Sequence, residues 1–392
     1  MKKSVIIPIA YQTVVDDVGW FCGSDDRHLG MPSRTGMPRD HVAEDWTVIN
    51  EIGKRIDQKI VGAMVIGEWD KLDRLRGKPH MTPHPYEWRR SESINIREAE
   101  RCAAAIESSE YVEIALHGLL HSYWDEELGH DDQQYYIRPR GGYAGTERLI
   151  PVSDEYFEDC IDTFLDIYAD WGFSKKIVSF ISPGSAYGPV EGSLGFARIL
   201  KARGFKYWAN YWSVIKDSCR VIDGLTFINK GTGFVPWNAY DVNPALLPDY
   251  SLAENDGVIM PKGTVLGLHW PNFLRFDPKK NRETVDAWVD YYRRQAEIFG
   301  VMISRDIGFA SRQALYERFT RVDFTENEVV LDFSAVDESG ATDIGNTMYV
   351  SIRKRLAPVS AEGARVTLYE THERFRTYKV ERQGKTAKIK IK

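Results

Sequence analysis

The sequence predicts an α/β fold built on a parallel sheet, open or closed into a barrel, followed by a small all-β segment. Two observations carry this. Up to residue 318, short apolar runs alternate with segments of helical period; beyond it the hydrophobic period becomes two.

The strand-like runs are residues 5–10, 60–66, 111–116, 177–181, 207–211, 225–228 and 265–269. Helical periodicity falls between many of them, at 45–57, 94–107, 153–171, 192–203 and 282–299. Ser153, ahead of Tyr156 and Phe157, has the side chain of an N-cap, and Gly172 just past Trp171 closes that helix. In such alternation functional groups collect at the carboxyl ends of the strands.

Residues 322–324, 328–333, 348–353, 365–369 and 375–391 alternate polar with apolar, separated by Glu-Asn, Glu-Ser-Gly and Gln-Gly turns. They read as a small β-sandwich or sheet with a structural or dimer-forming role, carbohydrate binding being the alternative. The last stretch, Lys385 to Lys392, alternates lysine with apolar residues and is expected at a sheet edge with its lysines in solvent.

A chain of 392 residues exceeds one typical core, which predicts two domains, 1–318 and 319–392. The net charge of −6, with no Lys/Arg block outside the extreme C-terminus, argues against nucleic acid as the main partner. Cys22, Cys102, Cys160 and Cys219 are scattered singly, so neither a disulfide framework nor a thiolate metal site is expected. Met1-Lys2-Lys3 runs into the first strand with too short an apolar stretch for a signal peptide, and no segment reaches membrane-spanning length. The expected location is cytoplasmic, with a trimmed exported protein left open. A homo-oligomer also stays open.

The chemistry concentrates in Asp16-Asp17, after the first apolar run, and in His117-Gly-Leu-Leu-His121, after the third. Successive side chains at a strand end diverge, so one carboxylate can bind a cation while the other faces a substrate. The two histidines share a face if the backbone turns helical there. Carboxylate and neutral imidazole suit zinc or another divalent transition metal, and three protein ligands leave positions open for water and substrate.

The order of these motifs resembles the polysaccharide deacetylases, the carbohydrate esterases that include nodulation-factor and chitin deacetylases. The likeness spans roughly residues 4–310 and rests on Asp-Asp, His-x-x-x-His, a Pro-Gly loop at Pro183-Gly184 and a late Leu268-His269. It implies a distorted (β/α) barrel of about seven strands, to which the alternating segment adds a small C-terminal all-β domain, and removal of an N- or O-acetyl group from a sugar or polysaccharide. By the same likeness Asp17, His117 and His121 would hold the metal, Asp16 would be the catalytic base and His269 the general acid. Pro183, Gly184 and Tyr187 would shape one groove wall. Trp20 and Trp270, beside the motifs, are candidates for stacking on a sugar ring.

Two departures stand out. Two residues before Pro183 the family has an arginine that orients the base, whereas this chain has Ile181; either another cation such as Arg34, Arg138 or Arg140 replaces it, or the base is tuned differently, or activity is weak. The family's fourth motif has its nearest counterpart in Trp208, Asn210 and Trp212. Other classes that fit the same residues are a small-amide amidohydrolase or glycosidase of a related barrel, and a carbohydrate-binding protein without catalysis.

Overall fold

A computed structural model describes residues 4–19, 39–125, 129–131, 134–137, 150–183, 194–211, 219–232, 252–255, 258–261, 264–325 and 327–392. In chain order the principal elements begin with β1 (Val5–Ile6), β2 (Ile9–Val18), α1 (Ala43–Ile56), β3 (Ile60–Val65), α2 (Ile96–Ser108) and β4 (Val112–Gly118). Next come α3 (Asp154–Asp170), β5 (Ser179–Ile181), α4 (Leu194–Ala202), β6 (Tyr207–Tyr211), β7 (Leu225–Thr232) and β8 (Val265–His269). The chain then forms α5 (Val285–Ala296), β9 (Val301–Ile303) and α6 (Ile307–Phe319). It ends in seven short strands, β10 (Arg321–Phe324), β11 (Glu328–Asp332), β12 (Thr347–Arg353), β13 (Pro358–Glu362), β14 (Ala364–Thr371), β15 (Phe375–Arg382) and β16 (Thr386–Ile391).

Strands β2, β3, β4, β5, β6, β7 and β8 pair in parallel around a closed seven-stranded barrel, with β6 against β7 and β8 against β2 completing the circle. The barrel is distorted at β2. Its first residues pair with β9, and only from Gln12 to Asp16 does β8 take over.

Alternation along the strands separates two apolar layers. Val14, Val61, Ala115, Ile181, Ala209 and Ile228 fill the lumen, where Ile307, Ala314 and Leu315 of α6 pack against them. Val15, Met64, Phe180, Trp208, Phe227 and Leu268 face outward beneath the helices. Capping follows the local sequence: Ser153 Oγ accepts from Tyr156 N at 3.2 Å as expected, and Asp306 Oδ1 accepts from Phe309 N at 2.7 Å to start α6.

Four expectations are corrected. The first apolar run is two strands, because Pro8 has no N–H to continue a ladder. β1 pairs antiparallel with β12 in the C-terminal sheet, while β2 runs on through Gln12 and Thr13 to include Asp16 and Asp17. Gln12 and Thr13 are fully buried, and their donors find partners: Gln12 Nε2 donates to Lys59 O at 2.8 Å, and Thr13 Oγ1 donates to the Tyr292 hydroxyl at 2.7 Å. Helix α6 had no helical period to reveal it, since Ile307, Ala310, Ser311, Ala314, Leu315 and Tyr316 are buried on every side. One side meets the lumen and the other, through Tyr316, the C-terminal sheets. Finally, β16 lies between β11 and β13 rather than at an edge, although Lys388 and Lys390 do face solvent.

The C-terminal strands form two four-stranded sheets, β1-β12-β15-β14 and β10-β11-β16-β13. Val5, Leu331, Met348, Val350, Val380 and Ile389 pack together between them. No helix among the described residues is long and apolar enough to cross a membrane.

Candidate metal centre

The carboxyl end of the barrel gathers two aspartates, three histidines and a lysine. Strand β2 carries a register shift between Val15 and Val18 where it meets β3, and Asp17 adopts a left-handed φ of 55°. Gly19 N closes the turn on Asp17 O at 2.7 Å. The irregularity splits the adjacent carboxylates: Asp17 meets histidines, and Asp16 meets a lysine.

Asp17 Oδ1 lies 3.1 Å from His117 Nε2 and 3.2 Å from His121 Nε2, and Asp17 Oδ2 lies 3.4 Å from His269 Nε2. The ligand atoms of Asp17, His117 and His121 all fall within 4.8 Å of one another, and all three residues are buried. The histidine pair does not meet across a helix, as the four-residue spacing suggested. His117 sits on β4, the chain turns back, and His121 takes a left-handed φ of 66°, which brings the rings to 5.1 Å between centroids. Gln134 braces this turn by accepting from Leu119 N at 2.8 Å. A Cβ at residue 118 would stand 2.4 Å from Gln134 Oε1, so a larger residue there would displace the bracing amide.

His117 Nδ1 is 2.8 Å from Ile181 O, and a carbonyl oxygen can only accept, so this nitrogen carries a proton. In a neutral ring the lone pair of Nε2 then points at a carboxylate oxygen. That arrangement calls for positive charge between the two atoms, supplied by a metal ion or by protonating the ring. Burial of Asp17 opposes its ionisation, but the charge of His121, the contact with His117 and the charge of His269 hold its carboxyl well below the usual carboxylate range. A buried, anionic carboxylate with two imidazoles is a donor set that could hold a divalent metal ion.

Asp16 is 3 % exposed, and its Oδ2 makes an ion pair with Nζ of Lys230, itself 2 % exposed, on β7. Its Oδ1 has no hydrogen-bond partner among the described residues. His269 stands opposite Asp16 in the β8–β2 register, and its backbone N donates to Asn272 Oδ1 at 2.8 Å.

Lys230 was missed in the sequence because the apolar run appeared to stop at Ile228. Two-residue alternation past that point puts it on the lumen side with Ile228, which was the available signal. Arg34, Arg138 and Arg140 lie outside the described residues, as do Gly184, Tyr187, Trp20 and Trp212. Ile181 packs in the apolar lumen. Pro183 is buried just past β5. Trp208 donates its indole N–H to Ser182 Oγ at 2.6 Å, and Asn210 is buried. Trp270 is 1 % exposed and packs edge-on to Trp46 at 5.0 Å and against His41 at 4.8 Å. This places Trp270 in the packed shell of the barrel.

No family model and no curated protein matches this sequence. Among solved structures, a protein of Mycobacterium smegmatis assigned as a polysaccharide deacetylase is similar over 76 % of this chain and 89 % of its own, at 10 % identity and a TM-score of 0.37. An endo-glycoceramidase II from Rhodococcus sp. aligns over 97 % of both chains at 10 % identity and a TM-score of 0.25. Likenesses this distant carry no argument, and the fold and site stand on their own geometry.

Proposed function

We propose that the chain is a metal-dependent hydrolase that removes an N- or O-acetyl group from a sugar or polysaccharide. The observation that carries this reading is the division of the adjacent carboxylates, Asp17 toward two imidazoles and Asp16 toward a cation with one oxygen left open. The order of the sequence motifs supports the acetylated sugar as substrate.

In this reading Asp17, His117 and His121 hold a divalent ion, with zinc the best match to the donors. The bound ion would supply Lewis acidity and lower the pKa of a neighbouring water. Asp16 Oδ1, buried and without a hydrogen-bond partner among the described residues, accepts the proton of the attacking water as its oxygen adds to the acetyl carbonyl. His269 gives a proton to the departing sugar oxygen or nitrogen, and acetate leaves. The two groups must start in opposite protonation states, an anionic carboxylate and a charged imidazole. The Ile181 carbonyl holds His117 in the tautomer whose Nε2 lone pair could serve as a metal ligand.

The test is acetate release from N- and O-acetylated sugar oligomers by the zinc-loaded chain. Asp16→Asn should lower turnover by about 10²- to 10⁴-fold with metal content unchanged. Unchanged turnover in that variant sinks the base assignment, and hydrolysis of small amides with no release from sugars moves the chain to another amidohydrolase class.

A further inference from the structure

We infer that Lys230 is the positioning residue for Asp16, and that Gly267 is the space it requires. The inference rests on the assignment of Asp16 as the base. Ile181, where the resembling family has its arginine, lies in the apolar lumen and gives only its carbonyl to the site, as the acceptor for His117. The cation comes instead from β7, which lies on the other side of β2, beyond β8.

The geometry is specific to a long, thin side chain. A Cβ at residue 267 would stand 2.5 Å from Lys230 Cε, so a glycine on β8 is what lets the lysine stem cross toward Asp16. Gly267 lies two residues before His269, on the same face of that strand. A buried ion pair contributes little net stability against an apolar replacement, but it fixes geometry when its partners are held. Here the ammonium takes Oδ2 of Asp16 and thereby fixes the plane of the carboxyl, leaving Oδ1 as the oxygen that faces the reacting water. Lys230 accepts no proton and touches no substrate in this scheme; it acts through Asp16.

Lys230→Met, Asp16→Asn and the double variant separate this role from a merely structural one. The inference predicts that Lys230→Met keeps its metal, loses about 100-fold in kcat and changes KM less than about threefold. Ethylammonium added to Lys230→Ala should restore kcat by at least about tenfold. The double variant should turn over no more slowly than Asp16→Asn alone, because the pair works as one unit. In the metal-free chain, Lys230→Met should lower Tm by leaving Asp16 as an unpaired buried charge, and adding Asp16→Asn should recover most of that loss. A Lys230→Met enzyme within about twofold of the wild-type kcat overturns the inference. So does a loss that ethylammonium does not relieve, or a double variant whose defects simply add. Full activity in Asp16→Asn would instead overturn the base reading itself, whatever Lys230 does.

Discussion

The two ends of the barrel lumen hold acids in opposite ways, buried at one end and half-buried at the other. At the carboxyl end Asp16 and Asp17 are surrounded by Lys230, His117, His121 and His269. At the amino end Glu113 of β4 accepts from Ile307 N at 3.3 Å, with Asp306 as a neighbouring like charge. Desolvation pushes both Asp17 and Glu113 toward the neutral form. At Asp17 the imidazoles overcome it and the carboxyl stays anionic. At Glu113 burial and Asp306 outweigh the Ile307 amide, Lys59 and Lys175, and its pKa is pushed up to about 7. Burial therefore does not distinguish a site from a plug. What distinguishes them is whether the buried charge has been given partners that a ligand could replace or bridge.

The largest effect that sharpens this contrast is expected at the carboxyl end. His117→Ala removes a proposed ligand and should weaken metal affinity by more than about 100-fold, since losing even an outer-shell partner costs 10- to 100-fold. Equilibrium dialysis against zinc measures it, and full affinity in the variant would mean that the triad is wrong.

The amino end predicts a stability effect with no change in metal. The folded chain keeps the Glu113 proton to about 7, whereas an unfolded chain gives it up near the ordinary 4.5, so the folded state binds more protons between those values. Stability should fall as pH rises through that window. Glu113→Gln removes the dependence and should stabilise the chain by about 1 to 2 kcal/mol near pH 8, a figure reduced for partial solvent access, with little change near pH 5. Urea unfolding at both pH values checks the sign, and equal shifts at the two would contradict it.

The smallest effect lies between the ends. Thr13→Val deletes the donor to the buried Tyr292 hydroxyl and should cost about 1 kcal/mol at either pH. Urea unfolding reads it, with metal affinity expected to stay unchanged.

Much of the architecture was legible because its signals are local. Apolar runs marked most of the barrel strands, Ser153 marked the start of α3, and two-residue alternation marked the C-terminal sheets. Helix α6 was not legible, because burial on all sides erases the period that betrays a surface helix. The split of the first run at Pro8 needed the knowledge that β1 finds its partner in β12, far away in sequence.

The site was legible as a set of residue types and not as a geometry. Asp17, His117 and His121 converge through left-handed turns that no periodicity announces, so the helical picture of the histidine pair failed while the choice of residues gave a cluster. Lys230 stayed hidden because a lysine past an apolar run reads as the strand's solvated end. Alternation from Ile228 puts it on the lumen side once the strand is known to run on to Thr232, and Gly267 on β8 leaves room for its stem.

The central claim is that the adjacent carboxylates have separate duties, Asp17 holding a divalent ion and Asp16 left free of it. Anomalous scattering from zinc-loaded crystals of the wild type, Asp16→Asn and Asp17→Asn tests this most directly. The account predicts one zinc peak between Asp17, His117 and His121 in the wild type and in Asp16→Asn, and none in Asp17→Asn. A peak that disappears with Asp16 and persists without Asp17 would contradict it.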